Sequence, residues 1–233
     1  MLKYLMILLL MSGIVMAGSP ISTIADMKSA VRMETGITNT TIVPDTTLGE
    51  LCNRALLWTS VTAGGYEKNV QVIIVAESAF YSIQDSLVEI ISGTIVSNTK
   101  TYPIKAWPPQ YTSEVSIDIS YPLTPGAAAA TKQPPKVYQL WGNRLQLIPV
   151  PVVGDTLYLK ANYEHPNLSA DTNTILLKDV FREAAITWAC HLVFKHVKDY
   201  ESSALYETKY DAEKNELKQV YMPKMDVLST GTK

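Results

Sequence analysis

A chain of 233 residues that is 47% hydrophobic, 18% charged and carries a formal net charge of −2 is long enough to bury a real core. Its charge excludes a nucleic-acid binder that works through a basic face. Thirteen Tyr against three Phe favour side chains with an apolar body and a polar tip, which suit interfaces and partly solvated strands alike.

Residues 1–17 combine a cationic start at Lys3 with an almost wholly apolar run from Tyr4 to Met16 and the small residue Ala17. That is the pattern of a secretory signal, and it is short for a membrane span. Three readings stay open: an export signal, translation from a later start at Met11, Met16 or Met27, or an uncleaved arm packed on a partner. As an arm it should stay attached, because an exposed apolar run is an aggregation liability.

A first helix opens near Ser22, where Thr23 followed by Asp26 approaches a capping box. Ile24, Met27 and Val31 share one face, and Gly36 ends the helix. After a polar loop containing Pro44, Thr47-Leu48-Gly49-Glu50 has the form of a full capping box, opening a second helix to about Thr62. Leu48, Leu51, Cys52, Ala55, Trp58 and Thr59 form its inward stripe, Asn53 and Arg54 face outward, and Gly64-Gly65 ends it. The two helices are expected to be short and antiparallel.

From Val70 the pattern changes to strands. Val70–Val75, Phe80–Ile83 and Leu87–Val96 are β-branched or aromatic runs, and residues 113–120 alternate with a period of two. Trp107-Pro108-Pro109 forbids regular structure, and Leu123 to Pro135, with its four Ala, reads as a loop. The clearest signal runs from Lys136 to Pro166. Arg144 to Leu147 alternates, Gly142-Asn143 suits a tight hairpin turn, and Leu157, Leu159, Ala161 and Tyr163 share one face. Pro149 and Pro151 end one strand, and Val153-Gly154-Asp155 turns into the next. The pattern predicts roughly six to eight strands in an antiparallel sheet with one buried face.

Past His165-Pro166 and a turn at Asp171-Thr172-Asn173, residues Val180, Phe181, Ala184, Ala185, Trp188, Leu192 and His196 recur at helical spacing. A last helix from about Ser202 to Val220 has a solvated face that includes Glu207, Lys209, Glu213 and Glu216. Its contact stripe is Tyr206, Tyr210, Leu217 and Tyr221, and Met222-Pro223 ends it. The fold class is α+β: a small helical bundle built from both chain ends, with an inserted antiparallel β domain and an extended C-terminal tail. The boundaries are 1–19 for the apolar segment, 20–66 and 167–222 for the bundle, 67–166 for the β domain and 223–233 for the tail.

Sites for chemistry are scarce. His191 and His196 are five apart, about 140° around a helix, so they cannot share a metal ion. Cys52 and Cys190 lie on apolar helix stripes, where free buried thiols or, in an exported protein, a disulfide are both open readings. Asp171, Asp179 and Glu183 read as cap and first-turn charges. No nucleophile elbow, phosphate loop or dinucleotide fingerprint occurs. The sequence therefore predicts no enzyme, no cofactor and no metal.

The stretches Ile24–Arg32, Pro44–Leu56, Phe80–Asp85, Tyr138–Leu147 and Leu157–Leu168 together resemble the head-to-tail adaptor proteins of tailed bacteriophages. The likeness covers about residues 20–222. It departs at Gln84, where Pro is expected, and in the apolar N-terminus, since virion parts are not exported. The resemblance implies a homo-oligomeric ring, usually twelvefold, beneath the portal protein, assembled in the host cytoplasm as part of the virion. Such a ring extends the DNA channel without sequence-specific binding, and tail or nozzle proteins dock on it. It also implies that the C-terminal tail reaches the portal, with Met222, Met225, Val227 and Leu228 as portal-binding anchors. A rival class is a secreted or periplasmic binding module, with Trp107, Trp141 and the tyrosines as a stacking surface.

Overall fold

The computed structural model describes residues 21–75, 78, 80–97, 100–106, 135–141, 144–148 and 155–221. The expected strand at 113–120, the Ala-rich loop, the turns at 142–143 and 149–154, and both chain ends lie outside them. The described residues form four helices and seven strands, so the protein is α+β.

Helix α1 (Ile24–Thr35) starts as its sequence predicts. The Thr23 hydroxyl accepts from the Asp26 N–H at 3.2 Å, and the Asp26 carboxylate accepts from the Thr23 N–H at 2.9 Å. The Thr23 hydroxyl and the backbone donors hold the Asp26 carboxyl below its ordinary range. Ile24, Met27 and Val31 are buried, and Gly36 ends the helix at φ 69°.

Helix α2 (Asp45–Thr62) corrects the expected start: the box at Thr47–Glu50 does not form, because those residues are already helical. Pro44 supplies the N-cap with φ −58° and makes no side-chain cap bond. A tertiary contact fixes the chain that enters the helix. Arg32 of α1 donates to the carbonyls of Ile37 (3.1 Å) and Val43 (2.8 Å) and pairs with Asp45 at 2.5 Å. Two further corrections follow on this helix. Trp58 is 46% exposed, stacked on Trp188 at 5.5 Å rather than buried. Asn53 does not simply face outward. Its amide donates to the Leu168 carbonyl and accepts from the Leu168 N–H, both at 2.9 Å, as a backbone strand would.

Helix α3 (Asp179–His196) packs against α1, α2 and α4 (Tyr200–Tyr221). It is buried nearly all round, from Phe181 through Val193, rather than along one stripe. Val180 and His196, at its two ends, are exposed. Lys198, at φ 65°, turns the chain into α4, where Asp199 caps the helix by accepting from the Ser202 N–H. On α4, Ser203, Tyr210 and Leu217 are buried, whereas Tyr221 is 43% exposed. One apolar cluster joins Ile24 and Val31 of α1, Leu48 and Leu56 of α2, Phe181 and Ala185 of α3, and Tyr210 and Leu217 of α4.

The strands are β1 (Glu67–Ile73), β2 (Phe80–Ser82), β3 (Leu87–Ser97), β4 (Lys100–Ala106), β5 (Val137–Trp141), β6 (Arg144–Ile148) and β7 (Thr156–Tyr163). Their order is β1-β7-β3-β4-β5-β6-β2. All pairings are antiparallel except the short parallel contact of β4 with β5. Strands β5 and β6 pair antiparallel from Val137 with Ile148 to Trp141 with Arg144. Leu157, Leu159, Ala161 and Tyr163 are all buried. A second cluster gathers them with Tyr81 of β2, Ile90 of β3, Ile104 of β4, Tyr138 of β5 and Leu145 of β6. Inner faces drawn from strands across the whole order can share one core only if the sheet curls around it. Strand β4 escapes the sequence pattern because Pro103 interrupts Lys100–Ala106. Pro103 pairs with Thr94 in the part of β4 that has β3 alone as a partner, where a missing donor is tolerated.

The two clusters meet at Gly64-Gly65-Tyr66. Gly65 has φ 95°, and a Cβ there would lie 2.4 Å from the Phe181 ring. The Gly65 carbonyl accepts from the Lys178 N–H, and the Tyr66 carbonyl accepts from the Tyr163 N–H. Glu67 pairs with both Lys160 and Lys178. Burial acts to raise its carboxyl, but the two lysines outweigh that and hold it below the ordinary range.

Candidate interaction surfaces

The titratable side chains of the interior serve structure. His165 is 4% exposed, and its Nε2 accepts from the Leu176 N–H at 3.0 Å. That places the proton on Nδ1, which donates to the Pro166 carbonyl at 2.8 Å. The His165 N–H donates to the Ser60 hydroxyl, fixing the chain after β7 onto α2. Burial holds its imidazole below the ordinary histidine range, so it is neutral. His191 stacks on Trp188 at 4.4 Å and meets the Ser203 carbonyl through Nδ1. Cys52 and Cys190 are free and buried, and burial pushes both thiols up to about 12. Neither is a reactive thiolate. Asp171 pairs with Lys28, and Asp179 pairs with Arg182 in the first turn of α3. Among the described residues no three of His, Cys, Asp and Glu converge to hold a metal ion. Among them, too, no helix is long and apolar enough to cross a membrane.

The surface offers more than the interior. A groove of about 380 Å³ runs between α3 and α4, with Val180, Ala184, Leu217, Val220 and Tyr221 as its apolar walls. Glu183, Glu213 and Glu216 also line it. Glu213 corrects the expectation of a solvated face. It is only partly exposed and accepts from the Thr187 hydroxyl at 3.2 Å through Oε1, while Oε2 is buried with no hydrogen-bond partner. Burial raises its carboxyl above the ordinary range. The sequence shows Glu213 only as one charge among many, because the face of α3 that covers it cannot be read from α4 alone.

Arg182 is a second residue that the sequence does not single out. From the start of α3 its guanidinium donates to the carbonyls of Ile21 (2.7 Å), Leu177 (2.8 Å) and Ile175 (3.1 Å). Its one legible signal is a charge inside an otherwise apolar stretch. On the outer face of the sheet, Trp141 is 55% exposed and donates from Nε1 to Gln146, which pairs with the half-exposed Phe80. Trp107 lies outside the described residues. Met222, Met225, Val227 and Leu228 lie outside them as well. The described chain ends at Tyr221, in the wall of the groove.

A family model described as SU10 adaptor protein matches residues 22–229. No curated protein matches the chain.

Proposed function

We propose that this chain, which belongs to the SU10 adaptor protein family, joins the head of a phage particle to its tail. The family is one of bacteriophage structural adaptors, components of the virion. Within that role the chain forms a homo-oligomeric ring of twelve subunits beneath the portal, extends the DNA channel, and offers a docking surface to tail or nozzle proteins. It performs no catalysis. The helices of both chain ends act as one bundle, with residues 67–166 as an inserted β domain, and the ring assembles in the host cytoplasm. Met222, Met225, Val227 and Leu228 anchor the tail to the portal, since Met side chains adapt to irregular grooves.

The observation that carries this reading is the extent of the family match, which spans helices, sheet and most of the tail. The net charge of −2 supports it, because a lumen that gripped phosphates would hinder a sliding genome. An exported binding module, the class suggested by the N-terminal segment, has no reason to carry an adaptor pattern over residues 22–229. Cryo-electron microscopy of particles should show a ring of this chain next to the portal, and its absence there would overturn the proposal. Deleting residues 224–233 should leave the melting temperature unchanged while abolishing attachment to portal-containing heads. Attachment at normal occupancy would remove the tail from the interface.

A further inference from the structure

The groove between α3 and α4 exposes apolar surface that the fold itself leaves uncovered. Val180 is 41% exposed, Val220 62% and Tyr221 43%, beside the buried Leu217. Contiguous apolar surface of this kind marks a place where something docks. Oε2 of Glu213, buried with no hydrogen-bond donor, adds an unmet acceptor.

The chain outside the described residues bears on what fills the groove. Arg182 pins the Ile21 carbonyl to α3, between the groove residues Val180 and Glu183 in sequence. Residues 1–20 therefore lead away from a point on the helix that forms one groove wall. Residues 17–20 can span at most about 14 Å, slightly more than the 10–12 Å diameter of a helix, which is enough to pass from one side of α3 to the next. Ahead of them, Tyr4 to Met16 contains no charge, and Lys3 is the one charged residue in residues 1–20. An apolar run preceded by a cation complements apolar walls flanked by Glu183, Glu213 and Glu216. The C-terminal tail also starts at the groove, but Lys224 and Asp226 interrupt its few apolar residues, whereas Tyr4 to Met16 runs without a charge.

We infer that this groove seats the apolar segment Tyr4–Met16 of the same chain, with Lys3 placed against its carboxylates. At about 380 Å³ it receives a few side chains as anchors, and the rest of the run covers the exposed Val220 and Tyr221. The segment then acts as an intramolecular strap across the outer side of the helical cluster, which explains how so apolar a stretch is carried on a protein that must assemble from solution.

Photo-cross-linking of the full chain tests this, with a benzophenone side chain at position 8. Irradiation in dilute solution should give a monomeric product joined to peptides containing Val180–Ala184 or Leu217–Tyr221. The V220E variant, altered at an exposed position, should lower that yield at least tenfold with an unchanged melting temperature. Products confined to other surfaces, products only between chains, no product, or a yield indifferent to V220E would each overturn the inference. So would an intact mass lacking residues 1–17. Neither measurement involves a portal or a head, so this proposal and the adaptor reading fail separately.

Discussion

Two glycines with similar backbones differ in what they permit. At Gly36 (φ 69°) an added Cβ would meet nothing within 4 Å, whereas at Gly65 (φ 95°) it would lie 2.4 Å from the Phe181 ring. Gly36→Ala should therefore lose only the cost of a left-handed backbone, about 1 kcal/mol. Gly65→Ala adds a clash with a buried ring and should lose about 3 kcal/mol or more. Urea titrations of the two variants check the difference, and equal losses would mean that the backbone alone decides. His165 carries a pH dependence. Burial depresses its pKa from the ordinary 6.5, so below about that pH the unfolded chain takes up a proton that the folded chain refuses, and stability falls as pH drops. Asp26, Asp45 and Asp199, all held below their ordinary range, lose their contribution only as pH falls through about 4. The urea midpoint should decline between about pH 7.5 and 5.5, and His165→Gln should flatten that decline while leaving the more acidic limb intact.

At the scale of elements, the helices are joined by side chains that bond to backbone. Asn53 of α2 pairs with both the N–H and the carbonyl of Leu168, in the connection between β7 and α3. Arg182 gathers three carbonyls from the chain before α1 and the chain before α3. Removing such a group leaves partly buried backbone atoms unpaired, which costs more than the bond itself contributes. Asn53→Ala should lose about 2 kcal/mol, with Leu168 and its neighbours showing faster amide exchange while α4 amides stay as they were. Unchanged exchange at Leu168 would show that water replaces the amide without loss. Arg182→Lys should not substitute, because a single ammonium cannot bridge three carbonyls as a guanidinium fork does.

For the whole molecule, the decisive feature is that two apolar clusters meet through a narrow junction. Tyr66 packs against both clusters, and backbone bonds at Gly65 and Tyr66 together with the Glu67 ion pairs complete the contact. A junction of this kind lets one cluster open without the other. Leu147, fully buried in the sheet cluster, makes the test. Leu147→Ala should lose about 2–5 kcal/mol, expressed in native-state exchange as a lower-energy opening of β-strand amides, with the opening of α3 near its original value. Equal loss of protection in α3 would show one cooperative unit. The outcome also bears on the proposed assembly, since a sheet that opens alone can adjust to neighbouring subunits of the proposed ring without unfolding the helices.

Local interactions decide what is legible in the sequence. The Thr23–Asp26 cap, the Gly36 stop and the alternation of Leu157 to Tyr163 depend on neighbours a few positions away. Residues that obey such rules carry their structure in their spacing. The start of α2 does not follow its local pattern because the helix already begins at Asp45, which Arg32 of another helix holds. Strand β4 is hidden because its Pro103 is tolerated only where β3 alone flanks it. Trp58, Glu213 and Arg182 are ambiguous in sequence for the same reason: their burial and partners are set by surfaces of other helices. The α+β class and the family resemblance were thus determined by the sequence itself. The encirclement of α3, the curl of the sheet and the acidic groove with its apolar walls were decided by the tertiary structure, because each exists only where segments distant in the chain meet.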